Sequence, residues 1–183
     1  MANPLLVVDV QNGFMNEYTR HVVDRIVKLI ESEEYEPVLF TRFVNVPGSP
    51  FHKFVGWHAC ESEPETTLVD PMQRYATPDR TFTKPGYAGV SDDLREYLKG
   101  QDFNRITLAG VDTDMCVLKI AMDIFDLGIE PVVLTDCCAS TAGLQSHLAG
   151  LAVLARNIGA HQLHDAGLGG GRLAAPVERV AST

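Results

Sequence analysis

Three side chains of complementary chemistry stand far apart in this 183-residue chain: the carboxylate of Asp9, the ammonium of Lys84 and the thiol of Cys116. A thiol attacks a carbonyl only as its thiolate, and a helix N-terminus favours that anion. A facing carboxylate can take the thiol proton and later return it to a leaving group. A lysine cation beside both would hold the anions in place and tune their pKa values. Backbone N–H groups around Asp112 to Cys116 would meet the oxyanion of a tetrahedral intermediate. Singly, each residue has an ordinary role: a small core cysteine, a turn-capping aspartate, a surface lysine. Only their joint placement argues for acyl transfer.

That placement is set by the elements around them. Pro4 to Asp9 is an apolar run ending in a carboxylate, as expected of a strand buried on both faces. Val22, Val23, Ile26, Val27 and Ile30 recur at helical spacing between Thr19 and Ser32. Pro37 to Thr41 is a second strand and Arg80 to Thr83 a short third, with Lys84 just after it. Ser91 caps a helix that runs to Lys99 and ends at Gly100. Arg105 to Gly110 is strand four, followed by an apolar helix from Thr113 to Leu127. Pro131 to Thr135 is strand five; Ser140 or Thr141 caps a helix to Ile158, and Ala160 to Leu163 is an edge strand.

Alternating strands and helices predict a single-domain α/β fold with a six-stranded parallel sheet and helices on both faces. In strand order 3-2-1-4-5-6, strands one and four flank the crevice where ligands bind, so Asp9 and Cys116 face one another across it. Lys84 is supported less directly, because its loop would have to fold inward. The irregular stretch from Arg42 to Pro78, with a short helix around Phe51 to His58, is of the kind that lines a site. The domain is read as residues 1–164, with 165–183 a Gly- and Ala-rich tail, mobile or an oligomer arm.

A formal charge of -9 disfavours nucleic acid and anionic membranes as partners. No apolar run is long enough for a membrane span, and the N-terminus reaches an acidic residue too early for a signal peptide. Four cysteines without disulfide or zinc-knuckle spacing suit a reducing, cytoplasmic setting. Cys60, Cys137 and Cys138 are assigned to structure, and Asp136 to holding a loop.

Three segments, LLVVDVQNGF around Asp9, FTKPGYAGV around Lys84 and LAGVDTDMCV around Cys116, resemble those of the isochorismatase-like cysteine hydrolases, which include nicotinamidases and N-carbamoylsarcosine amidases. TDCCAS resembles the family's Asp-Ala-x-Ala-Ser segment, and the similarity spans about Leu5 to Leu163. The resemblance implies a Rossmann-like sheet, the triad Asp9, Lys84 and Cys116, and a cis peptide between Val111 and Asp112 that aims backbone donors, with that of Cys116, at the oxyanion. It also implies a thioester mechanism and homo-oligomers.

The chain departs from the metal-binding nicotinamidases. Phe43, Val44 and Asn45 stand where their Asp-x-His would be, and His52 and His58 lack a carboxylate partner. No metal and no cofactor are expected, and nicotinamide is disfavoured as substrate. The isochorismate-cleaving branch does not need the cysteine, so Cys116 favours acyl transfer. Gln11, Phe14, Asn45, Trp57, Tyr87 and Thr113 are the pocket candidates. The expected function is hydrolysis of a C–N bond in a small amide, carbamoyl compound or lactam. The alternatives are an isochorismatase-type hydrolase using Asp9 and Lys84, and a silent binding protein on the same fold.

Overall fold

The computed structural model describes residues 3–87 and 89–168. Six parallel strands form one sheet: β1 (Leu5–Val8), β2 (Val38–Val44), β3 (Thr81–Pro85), β4 (Arg105–Val111), β5 (Glu130–Ala139) and β6 (Leu163–His164). Their order is β3-β2-β1-β4-β5-β6, as expected. All four residues of β1 are fully buried, and their side chains alternate between two cores. Leu5 and Val7 pack with Val22, Ile26 and Ile30 of α1 (His21–Glu31). Leu6 and Val8 pack with Leu94 of α3 (Asp92–Lys99), Ile120 of α4 (Leu118–Asp126) and Leu154 of α5 (Leu144–Leu154). A four-residue helix, α2 (Asp70–Gln73), was not expected from the sequence.

The strands near the site are longer than their apolar runs suggest. β2 extends three residues beyond Thr41 to Val44, and β5 four beyond Thr135 to Ala139. Partly buried polar residues, Arg42 in the one and Thr135 and Asp136 in the other, interrupt the apolar pattern without ending the hydrogen-bonded ladder. β3 likewise runs through Lys84 to Pro85, with Lys84 in register with Phe43. Lys84 is therefore a strand residue, and no loop has to fold inward.

Helix starts follow the sequence in one case and depart from it in another. Ser91 Oγ accepts a hydrogen bond from Leu94 N at 3.4 Å, the expected cap. α5 begins instead after Gly143, with no side-chain cap, because Thr141 is drawn into another contact described below. The expected short helix after Phe51 is a single π-type turn, Phe51–Val55. Of the expected tail, Ala166 and Leu168 donate backbone N–H bonds of 2.8 and 2.9 Å to the Asp136 carboxylate, which thus holds a loop. The rest of that tail lies outside the described residues.

Candidate active site

β1 and β4 end side by side, Val8 in register with Gly110. A side chain at Gly110 would put its Cβ 2.2 Å from the Val8 carbonyl oxygen, and its φ of +132° suits only glycine. This close approach brings the residues after the two strands together. Asp9 follows β1 in the left-handed region, φ 49°, which aspartate tolerates better than most residues. Its N–H donates to Thr41 Oγ1 at 3.2 Å, and the Thr41 hydroxyl donates back to Asp9 Oδ1 at 2.7 Å. The second oxygen, Oδ2, lies 2.8 Å from Lys84 Nζ.

Lys84 reaches Asp9 from two strands away. Its stem crosses β2, and Nζ sits 5.2 Å from the centre of the Phe43 ring. Phe43 therefore supports the cation at the position where the metal-binding relatives were expected to carry a carboxylate. From there Nζ also donates to Cys116 Sγ at 3.3 Å. Asp9 and Lys84 are both essentially without solvent exposure, whereas Cys116 keeps some. The three groups predicted to meet do meet.

Cys116 lies in the π-type turn Thr113–Val117 that leads into α4. The preceding peptide, Val111–Asp112, is cis. The Asp112 carboxylate is clamped by Thr141, whose N–H donates to Oδ1 and whose hydroxyl donates to Oδ2, both at 2.7 Å. α5 packs on the other side of the turn: a Cβ on Gly150 would fall 2.8 Å from the Asp114 N and Cα atoms. Thr113 Oγ1 lies 2.8 Å from His147 Nδ1 of α5. Sequence reasoning missed Thr41, Thr141, His147 and Gly150. Only the Thr141 position carried a signal, as the polar residue after the TDCCAS segment.

Burial shapes the electrostatics first. It works against the Lys84 cation, but the Asp9 carboxylate and Cys116 outweigh it and raise the Lys84 pKa. Burial, and then the Asp9 charge, hold the Cys116 thiol well above its ordinary pKa, with Lys84 only partly opposing them. The helix N-terminus was expected to favour a thiolate; burial and the Asp9 charge work against it. Burial also pushes Asp112 up to about 6.

The pocket candidates divide into two groups. Phe14, Trp57 and Tyr87 join Phe43 and Phe51 in an aromatic wall, with Phe51 4.8 Å from Tyr87 and 5.4 Å from Trp57 between ring centres. Gln11, Asn45 and Thr113 are engaged inside the protein. Gln11 Nε2 donates to the Phe43 and Thr66 carbonyls at 2.9 and 3.0 Å, and its Oε1 accepts from Phe43 N at 2.7 Å. Asn45 Nδ2 donates to the Trp57 and Ala59 carbonyls, both at 3.1 Å, and Oδ1 accepts from Ser49 Oγ. These two residues hold the irregular Arg42–Pro78 region on β2, and so position the aromatic wall.

His52 and His58 do find a carboxylate, contrary to the sequence reading: ligand atoms of both and of Glu61 lie within 4.8 Å of one another. The donor set nevertheless does not fit a resident divalent ion. His52 Nδ1 accepts the Gly48 N–H at 3.1 Å, so the neutral ring carries its proton on Nε2, the nitrogen 3.0 Å from Glu61 Oε1. A metal at Nε2 would have to displace that proton while Nδ1 is already occupied.

A parallel sheet with an acid, a lysine and a cysteine meeting at its carboxyl edge is the arrangement that the resemblance to the isochorismatase-like family implied. Residues 3–164 match the Isochorismatase domain family, and the chain belongs to it. Isochorismatase domain-containing protein 2 of Rattus norvegicus is 32% identical over 77 residues, which are 42% of this chain and 35% of that protein. The chain thus matches about a third of the length of that curated relative. Among solved structures, a nicotinamidase/pyrazinamidase from Bacillus subtilis superposes with a TM-score of 0.72 at 24% identity, covering 90% of this chain and all of that one. An N-carbamoylsarcosine amidase from Thermoplasma acidophilum gives 0.68 at 20%, covering 87% and 94%. At these identities the structural likeness speaks for the fold. No helix among the described residues is long and apolar enough to cross a membrane.

Proposed function

We propose that this protein hydrolyses a C–N bond of a small amide, carbamoyl compound or lactam by covalent catalysis at Cys116. The observation that carries the reading is the position of Lys84 Nζ, 2.8 Å from Asp9 Oδ2 and 3.3 Å from Cys116 Sγ at the sheet's carboxyl edge. Asp9 takes the thiol proton as sulfur attacks the carbonyl, and the new C–S bond forms as the oxyanion develops. Backbone N–H groups of the 112–116 turn are the candidate donors to that oxyanion. The tetrahedral intermediate collapses with the C–N bond breaking, and Asp9 returns the proton to the departing amine. Water then hydrolyses the thioester, its proton passing through Asp9 back to sulfur. Lys84 stays charged throughout and keeps Asp9 and the sulfur in register. A cytoplasmic, homo-oligomeric enzyme that uses no metal or other cofactor completes the proposal.

The test is turnover of a panel of small amides by the wild type and by Cys116→Ala, with mass spectrometry of the intact protein. The expected result is an acyl adduct on Cys116 in the wild type, and neither adduct nor turnover in the variant. Full activity of Cys116→Ala on the amides refutes covalent catalysis, whereas turnover of a vinyl ether and of no amide, by wild type and variant alike, points to the isochorismatase-type reaction, in which Asp9 and Lys84 suffice.

A further inference from the structure

One face of the outer strands carries charge that the catalytic group does not use. Side chains alternate along a strand. Thr41 and Phe43 of β2 and Lys84 of β3 serve the catalytic group, so Arg42 and Thr83, in register with one another, turn to the opposite face. Val38 and Phe40 lie further back on that face and join the core with α1. Past them the cover is the four-residue α2 and the turn after it, and a groove of about 500 Å3 stands beside the strands. Arg42, Glu63, Thr67, Leu68, Gln73 and Thr83 are among its lining residues.

Arg42 interrupts an apolar strand without an acid to balance it. Among the described residues its side chain makes one hydrogen bond, Nη2 to Thr83 Oγ1 at 3.2 Å, and no ion pair. Nε is buried and has no partner there. A guanidinium offers five donors, and leaving them unused beside a partly buried strand costs free energy. The outer edge of the fork is within reach of a ligand, because Arg42 is only partly buried and lines the groove. Thr83 is exposed, and since its oxygen accepts from Arg42, its own hydroxyl proton can be given to a ligand. Glu63 is exposed on the same groove and makes no ion pair among the described residues either. A cation and an anion thus share one groove without pairing to each other. A guanidinium fork matches a carboxylate, whereas the Glu63 charge repels a simple anion and attracts an ammonium group. Leu68 adds apolar lining that suits a short aliphatic linker.

We infer that this groove is a second binding site, separate from Cys116, for a small zwitterion of the amino-acid type: its carboxylate held by Arg42 and Thr83, its ammonium by Glu63, and an aliphatic linker between them. The assignment goes beyond the proposed amide hydrolysis and does not depend on it.

Calorimetry on the full chain at low salt tests it, with β-alanine, 4-aminobutanoate and 6-aminohexanoate as probes of the spacing between the two charges. The best of the three is then compared with the carboxylate and the alkylammonium of the same chain length. The zwitterion is expected to bind about tenfold more tightly than the alkylammonium and about threefold more tightly than the carboxylate, the smaller factor reflecting the greater exposure of Glu63. Arg42→Gln is expected to remove the advantage over the alkylammonium, and Glu63→Gln the advantage over the carboxylate. Thr83→Val, at an exposed position, is expected to weaken the zwitterion severalfold and stands in if Arg42→Gln does not fold. Absence of saturable binding by all three zwitterions, a carboxylate that binds as tightly as the zwitterion, or affinities unchanged in Arg42→Gln or Thr83→Val overturns the assignment. None of these outcomes bears on turnover at Cys116, which the adduct experiment decides separately.

Discussion

Replacing Asp112 by Asn isolates the consequence of burying a charge beside the nucleophile. Asp112 is 7% exposed, and burial raises its pKa from 3.8 to about 6. A native state that binds the proton more tightly than the unfolded chain is favoured at low pH. That contribution is complete below about 4 and is lost as pH rises through about 6. A rise of this size corresponds to about 3 kcal/mol, and linkage places about 1.4 kcal/mol of it between pH 5 and pH 8. Asparagine keeps the clamp: its Oδ1 accepts the Thr141 N–H, and its Nδ2 donates to the Thr141 hydroxyl, which turns from donor to acceptor. The weaker neutral bonds cost about 1 kcal/mol. Asp112→Asn is therefore expected to be about 2 kcal/mol more stable than the wild type at pH 8, roughly 4–8 °C in Tm. Urea denaturation at pH 5, 6, 7 and 8 measures the difference, which is expected to widen by about 1.4 kcal/mol over that range. A constant difference, or one that narrows, refutes the assignment of the charge cost to Asp112.

Lys84→Met leaves the Asp9 carboxylate buried and uncompensated; a loss of about 3–5 kcal/mol is expected in urea denaturation, and a wild-type midpoint contradicts the ion pair. Gly110→Ala drives a Cβ into the Val8 carbonyl at a backbone angle that alanine resists, so little folded protein is expected by circular dichroism. Gly150→Ala pushes α5 off the turn that carries Cys116; a drop in kcat larger than the change in KM is expected, and unaltered kinetics would show that the turn does not depend on this contact. Thr141→Val removes the hydroxyl bond to Asp112, and a loss of about 1–2 kcal/mol is expected at pH 8, where the carboxylate is charged, with a smaller loss at pH 5.

Much of the architecture was written locally. Apolar runs marked β1, β2, β4 and β5, and Ser91 and Gly100 marked the bounds of one helix, because burial on both faces and capping are properties of short segments. The expected edge strand Ala160–Leu163 is instead a 3-10 turn, Ala160–Gln162, ahead of β6. The same runs placed Asp9 and Cys116 at strand ends, and parallel topology then brings such ends together. Local pattern did not give the length of β3, and so it put Lys84 in a loop. Ladder hydrogen bonds to β2 are non-local and continue past the last apolar residue.

The rest came from packing. That Lys84 reaches Asp9 over Phe43, that Gln11 and Asn45 brace main chain instead of lining a pocket, and that Thr141 clamps Asp112 all depend on segments tens of residues apart. The pKa of Cys116 was also shifted there: its position at a helix start argued for a thiolate, but burial and a neighbouring carboxylate, which raise it, are field effects of the whole fold. The order of residues fixed which chemical groups were available and at which edge of the sheet they would stand. Their pairing and charge arose in the packed molecule, because desolvation and close contact are set by everything that surrounds a side chain and not by its neighbours along the chain.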